Sequence, residues 1–124
     1  MGEQIKYYRS IDDIKQVDLS KKLNFHDSTI KHLENKEMKL VNVKLIKGVI
    51  EELGIKDKIS INDDYISFLL NNPCDKILKA RKKLKVSRQA FADLLGVSDT
   101  SVRRWELGNT NISRKKYERL KEYL

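Results

Sequence analysis

A chain of 124 residues with a mass of 14.5 kDa has room for one ordinary domain or two very small ones. Hydrophobic residues make up 40% and charged residues 35%, which excludes a disordered chain, and no apolar run approaches the roughly 18 residues of a membrane span. The net charge is +8 and Cys74 is the only cysteine, so an intramolecular disulfide is excluded and a polyanion becomes the first candidate partner.

The surplus charge is concentrated. Residues 1–55 hold ten bases and nine acids, residues 56–72 two bases and three acids, and residues 73–124 fourteen bases and six acids. All of the excess therefore lies in the C-terminal segment, where it is either a nucleic-acid footprint or a solvated basic face. The opening Met1-Gly2-Glu3-Gln4-Ile5-Lys6 has no apolar signal-peptide core, so a cytoplasmic location is expected. His26 and His32 lack the cysteine or histidine spacing of a zinc site, and no metal or cofactor is expected. No glycine-rich phosphate loop, nucleophile with a matched base, or carboxylate cluster marks the chain as an enzyme.

In chain order, Leu45, Val49, Ile50 and Leu53 repeat at helical spacing up to a C-capping Gly54. Ile59 and Ile61 then alternate with polar residues. Asn62-Asp63-Asp64 caps a short helix carrying Tyr65, Ile66, Phe68, Leu69 and Leu70, too apolar for a flexible tether. A domain boundary is expected at Asn71-Asn72, because the residue before Pro73 avoids helix, dividing the chain into 1–71 and 72–124. A helix follows from Pro73, whose missing N–H costs nothing in a first turn, to Leu84. Ser87 caps a second, Arg88 to Leu95, which Gly96 ends. Ser98 caps a third, Asp99 to Leu107, closed by Gly108. Ser113 caps a fourth, with Tyr117, Leu120, Tyr123 and Leu124 on its apolar side. The expected fold is all-α.

The second and third of these helices, joined by a tight glycine turn, read as a helix-turn-helix. Ala92 is small where the helices touch, Gly96 supplies the turn, Val97 precedes the third helix, and Val102 and Trp105 point inward. The segment 75–124 resembles the lambda-repressor-like, XRE family of bacterial and phage regulators. The resemblance runs through Lys79-Ala80-Arg81, Val86-Ser87-Arg88-Gln89, Phe91-Ala92, Leu95-Gly96-Val97-Ser98, Val102 and Arg104-Trp105-Glu106-Leu107-Gly108.

The N-terminal half repeats this pattern 72 positions earlier. Ile5, Arg9, Leu23, Asp27 and Glu34 recur as Ile77, Arg81, Leu95, Asp99 and Glu106, and similar residues recur at Ile14/Val86, Leu19/Phe91, Phe25/Val97, Ile30/Val102 and Leu33/Trp105. This half also resembles the family on its own, with Asn24 in place of the turn glycine, Ser20 in place of the small alanine and His26 in place of the cap serine. Two four- to five-helix lambda-repressor-like bundles in tandem are therefore expected. The resemblance implies that the helix at 65–70 packs on the four before it. A dimer interface is the other reading of its apolar face.

Major-groove reading needs short or bidentate polar side chains near the start of a helix narrow enough to enter the groove. The exposed positions of the third helix are Asp99, Thr100, Arg103 and Arg104, matched in the first copy by Asp27, Ser28, Lys31 and His32. Arg88 and Gln16 occupy the position at which the family holds a phosphate, and Lys82, Lys83, Lys85, Arg114 and Lys115 are further electrostatic candidates. The resemblance implies that Arg9/Glu34 and Arg81/Glu106 are structural ion pairs. The expected function is sequence-specific binding of double-stranded DNA by a bacterial or phage-type, nucleoid-associated regulator. Repression is expected over activation, since a DNA-binding protein can act by blocking a promoter. The alternative is an interaction module, antitoxin- or antirepressor-like, whose N-terminal domain binds a protein partner or a second copy.

Overall fold

The computed structural model describes residues 1–35 and 42–124, and all regular structure among them is helical. The chain divides into two compact units, 1–66 and 67–124. In the first, α1 (Gly2–Ile11), α2 (Gln16–Lys22), α3 (Thr29–Glu34) and α4 (Val43–Leu53) enclose Ile5, Leu19, Ile30, Leu45 and Val49, each 1% exposed or less. α5 (Asp64–Leu70) crosses the division. In the second, α6 (Pro73–Leu84), α7 (Arg88–Leu95), α8 (Asp99–Leu107) and α9 (Arg114–Leu120), with a closing 3-10 turn at Lys121–Tyr123, surround Ile77, Phe91, Leu95, Val102 and Leu120.

The helix ends of the second unit follow its capping residues. Ser87, Ser98 and Ser113 each accept a backbone N–H from three residues on, at 3.1, 3.2 and 3.3 Å, removing one orphan donor per helix. Gly96 takes a left-handed φ of 67°, and Val97 N–H then reaches back to the Ala92 carbonyl at 3.0 Å, closing the α7–α8 turn in a Schellman arrangement. A side chain at Gly96 is opposed by its left-handed backbone angle.

In the first unit the same turn is made by other residues. Asn24 holds φ at 61°, and Phe25 N–H reaches the Ser20 carbonyl at 2.9 Å. Asparagine tolerates this region because its short polar side chain pays a smaller steric penalty than other non-glycine residues. α3 starts only at Thr29, after a turn closed by Thr29 N–H on the His26 carbonyl, and it is six residues long against nine for α8. His26 explains the shortening: its ring Nδ1 accepts Ser28 N–H at 3.2 Å, which caps a turn rather than a helix. The buried Ser20 hydroxyl accepts Ile30 N–H at 3.3 Å. Ser20 and His26 thus share at α3 the capping work that Ser98 does at α8. At the other end of α3, Gly2 lets α1 approach so closely that a Cβ there would meet the carbonyls of Leu33 and Glu34.

The segment after α4 is tied to α1. The Gln4 side chain exchanges two hydrogen bonds with Ser60, donating to its carbonyl at 2.6 Å and accepting its N–H at 2.7 Å, and the Tyr8 hydroxyl donates to the Lys58 carbonyl. The alternation of Ile59 and Ile61 makes no strand. Asp63 caps α5, its carboxylate accepting the N–H groups of Tyr65 and Ile66 at 3.0 and 3.2 Å.

Two expectations change here. The division falls inside α5, at 66/67, rather than at Asn71-Asn72. The second half of α5, from Ser67 on, also falls in the C-terminal unit. Phe68 lies against Tyr117 with ring centroids 5.0 Å apart, and the Lys76 ammonium sits 5.8 Å above the Phe68 ring. Helical periodicity announces that a face will be buried, but not which neighbour covers it.

Replacing Ser20 by alanine, the residue at the matching position of the second unit, should destabilise the protein. It strands the Ile30 N–H in the core, and the expected loss is about 1–2 kcal/mol in urea unfolding. No loss would show that the hydroxyl does not cap α3.

Candidate nucleic-acid interface

In each unit an arginine on the first helix ties the third helix to the lead-in of the second. In the second unit Arg81, near the end of α6, donates through Nε and Nη2 to the Glu106 carboxylate at 2.8 and 3.2 Å, and through Nη1 to the Val86 carbonyl at 3.2 Å. One guanidinium thereby ties α6, the lead-in to α7 and the end of α8. In the first unit Arg9 bonds Glu34 at 2.7 and 3.0 Å and the Ile14 carbonyl at 2.7 Å, so the arginine and both of its partners recur 72 positions apart. Planar fork-to-carboxylate pairing fixes orientation as well as distance. The Glu34 hydrogen bond and charge hold the Arg9 guanidinium above the ordinary arginine value, with burial pulling the other way.

The frame leaves α8 with one polar face outward. Thr100, Arg103 and Arg104 are exposed and Asp99, its first residue, is half-buried, while Val102 and Trp105 are buried. Lys82, Lys83, Lys85 and Arg88 crowd the α6–α7 junction, all exposed, and Arg114 and Lys115 open α9. Lys85 has a left-handed φ of 57°, so a lysine occupies a backbone position that favours glycine. Two residues not singled out from the sequence brace the α7–α8 turn. Lys116 donates to the Gly96 carbonyl at 3.2 Å, and Arg119 donates to the Leu95 carbonyl at 3.4 Å. Cations there meet the negative end of α7. Their spacing of three on one helix face was the available clue.

The corresponding residues of the first unit are differently placed. Lys31 and His32 are exposed on α3, but Asp27 and Ser28 lie in the turn before it, and the Ser28 hydroxyl is 2.9 Å from His26 Nδ1. Gln16 opens α2, and its amide donates to Glu34 Oε1 at 3.0 Å, so it is part of the Arg9–Glu34 cluster. Where the second unit has Lys79, Lys83, Lys85, Gln89, Arg114 and Lys115, the first has Tyr7, Ile11, Asp13, Val17, Asn42 and Val43. The frame is shared and the surface is not.

Among the described residues no cluster of potential metal ligands occurs, and none of the described helices is long and apolar enough to cross a membrane. Residues 77–124, which span α8 and its support, match the helix-turn-helix family model. The match covers 48 of the 124 residues and supports an XRE-like, DNA-binding reading of that segment. No curated protein and no solved structure matches the chain.

The two arginine clusters differ in depth. Arg9 and Glu34 side chains are 12% and 0% exposed, Arg81 and Glu106 20% and 7%. Glu34→Ala should cost about 3–5 kcal/mol in urea unfolding by stranding Arg9, and Glu106→Ala somewhat less. Arg81→Met combined with Glu106→Leu should cost much less than Glu106→Ala alone. Small, equal losses in all three would mean that the pairs are solvated contacts.

Proposed function

We propose that the protein is a sequence-specific double-stranded DNA-binding transcriptional regulator, built from two helix-turn-helix domains in tandem and acting as a repressor by occupying its site. The observation that carries this is the exposed Thr100–Arg103–Arg104 face of α8, held by the Arg81–Glu106 cluster in a unit with fourteen bases and six acids. Arg103 and Arg104 have the fork geometry for the O6 and N7 of a guanine, and Thr100 suits a thymine methyl or a phosphate. Arg88 at the start of α7 takes a phosphate, with Lys82, Lys83, Lys85, Arg114 and Lys115 adding sequence-independent attraction. Asp99 faces bases from the first turn of α8. The tandem reading is supported by the shared 72-residue displacement of the arginine cluster and of the left-handed turn at Asn24 and Gly96. In the first domain Lys31 and His32, with Asp27 and Ser28 at the entrance to α3, form the subsidiary reading surface.

A second reading of the N-terminal domain is favoured by one observation. The positions that carry Lys79, Lys83 and Lys85 around α6 and α7 carry Tyr7, Ile11 and Asp13 around α1 and α2, a surface suited to protein and ill suited to phosphate. On that reading the C-terminal domain binds DNA and the N-terminal domain binds a protein.

Base and phosphate contacts have separable signatures. Arg88→Ala should weaken binding to selected and scrambled duplexes alike and lower the salt slope by about one unit. Arg104→Ala should cost about 1–3 kcal/mol on the selected duplex and little on the scrambled one. His32→Ala should have a smaller effect than Arg104→Ala. Titrations of each variant at several salt concentrations check this, and a larger loss from His32→Ala would move the main reading helix to α3.

A further inference from the structure

Arg81 grips Glu106 near the far end of α8, about two helical turns from Asp99 and Thr100. The near end is held differently. α7 stops at Leu95, and the carbonyls of Leu95 and Gly96 lie where a helix leaves its last acceptors without helical partners. Both donors come from α9: Arg119 Nη1 reaches the Leu95 carbonyl and Lys116 Nζ the Gly96 carbonyl. The two cationic heads converge, with Arg119 Cζ 3.6 Å and Lys116 Nζ 3.8 Å from the point that a Cβ on Gly96 would occupy. Among the described residues no carboxylate forms an ion pair with either. The carbonyls and the negative end of α7 are what offset the repulsion between the two. In the first unit lysines stand at both matching positions, Lys44 and Lys47, but both are exposed and neither reaches a carbonyl of the α2–α3 turn. There α3 starts only at Thr29, whereas α8 starts directly after its cap serine. The brace is present where the third helix is complete.

We propose that Lys116 and Arg119 are positioning residues, which fix the α7–α8 turn and the first turn of α8 and so govern sequence discrimination without touching DNA. The lever is short. Ser98, the cap of α8, lies two residues beyond Gly96, and Thr100 lies four beyond it. A carbonyl that loses its donor turns toward water, and the rigid peptide plane that turns with it leads into that cap. Base contacts demand hydrogen-bond geometry and fail when the first turn is misdirected. Phosphate attraction falls off gently with distance and survives the same displacement.

This role rests on the proposed reading of DNA by α8, and one arm of its test therefore contains no DNA. The Val97 and Ser101 N–H groups bond the Ala92 carbonyl and the Ser98 hydroxyl. In the free, full-length chain both should exchange with solvent about five- to tenfold faster once Lys116→Met and Arg119→Met are combined. In titrations at several salt concentrations, that variant should bind the selected duplex about five- to tenfold more weakly. Its affinity for the scrambled duplex should stay within about twofold of the natural chain's, with the salt slope unchanged. Lys116→Arg combined with Arg119→Lys keeps a cationic donor at each position and should restore discrimination to within about twofold. Thermal unfolding establishes that each variant is folded at the assay temperature. The single methionine variants, each losing one bond, carry the test where the double does not fold. Equal weakening on both duplexes, with the slope lowered by about one per cation, would make the pair phosphate contacts and overturn the proposal. Unchanged exchange at Val97 and Ser101 would overturn it as well. A natural chain that discriminates no sequence refutes the proposed function and this role with it. A natural chain that discriminates, with methionine variants that discriminate equally, refutes this role alone.

Discussion

In each unit an arginine near the end of the first helix reaches a glutamate near the end of the third and a backbone carbonyl just before the second. Arg9 does so with Glu34 and Ile14, Arg81 with Glu106 and Val86. The remaining contacts of the bundle are largely apolar and non-directional, and they would tolerate a slide or a rotation of one helix on another. The fork does not, because two parallel N–H···O bonds and a third to a carbonyl are lost together when the third helix turns. Buried ion pairs are poor sources of net stability, since desolvation offsets much of the attraction. Orientation is what the pair supplies here. Gly2 and the small Ser20 and Ala92 let the helices come close enough for the fork to close.

On this common frame the two units carry different surfaces. The exposed Lys79, Lys83, Lys85, Arg114 and Lys115 of the second unit are matched in the first by Tyr7, Ile11, Asp13, Asn42 and Val43. A phosphate backbone attracts the five cations and not the residues that match them. The third helices of the two units differ as well: α8 begins with a serine-capped first turn that places Asp99 and Thr100 within the helix, whereas Asp27 and Ser28 precede α3. The proposed division of labour follows from these differences, with DNA affinity concentrated in the C-terminal unit and the N-terminal unit free to add a protein contact.

Much of the second unit was legible in the sequence because its ends are marked by strong local chemistry. Pro73, Ser87, Gly96, Ser98, Gly108 and Ser113 stand where α6, α7, α8 and α9 begin or end. The first unit lacks some of these markers, and there the local detail escaped. Nothing in the identity of His26 shows that it caps a turn instead of a helix, or that α3 starts at Thr29. Nothing local to Gln16 shows that its amide reaches Glu34, a partner 18 residues away that only the fold brings near. The allegiance of α5 was hidden for a related reason. Tyr65, Phe68 and Leu69 declare a buried face, but the contact of Phe68 with Tyr117 spans 49 positions and leaves no local periodic trace.

The central claim is that the exposed face of α8 reads sequence, and it is tested most directly by selecting bound duplexes from a random pool with the intact chain at physiological salt, then repeating the selection with Arg104→Ala. The account predicts that the natural chain recovers a short common sequence containing a guanine, and that the variant recovers the same sequence with that guanine no longer preferred. Recovery of unselected DNA by the natural chain, or of an unchanged motif by the variant, would contradict it.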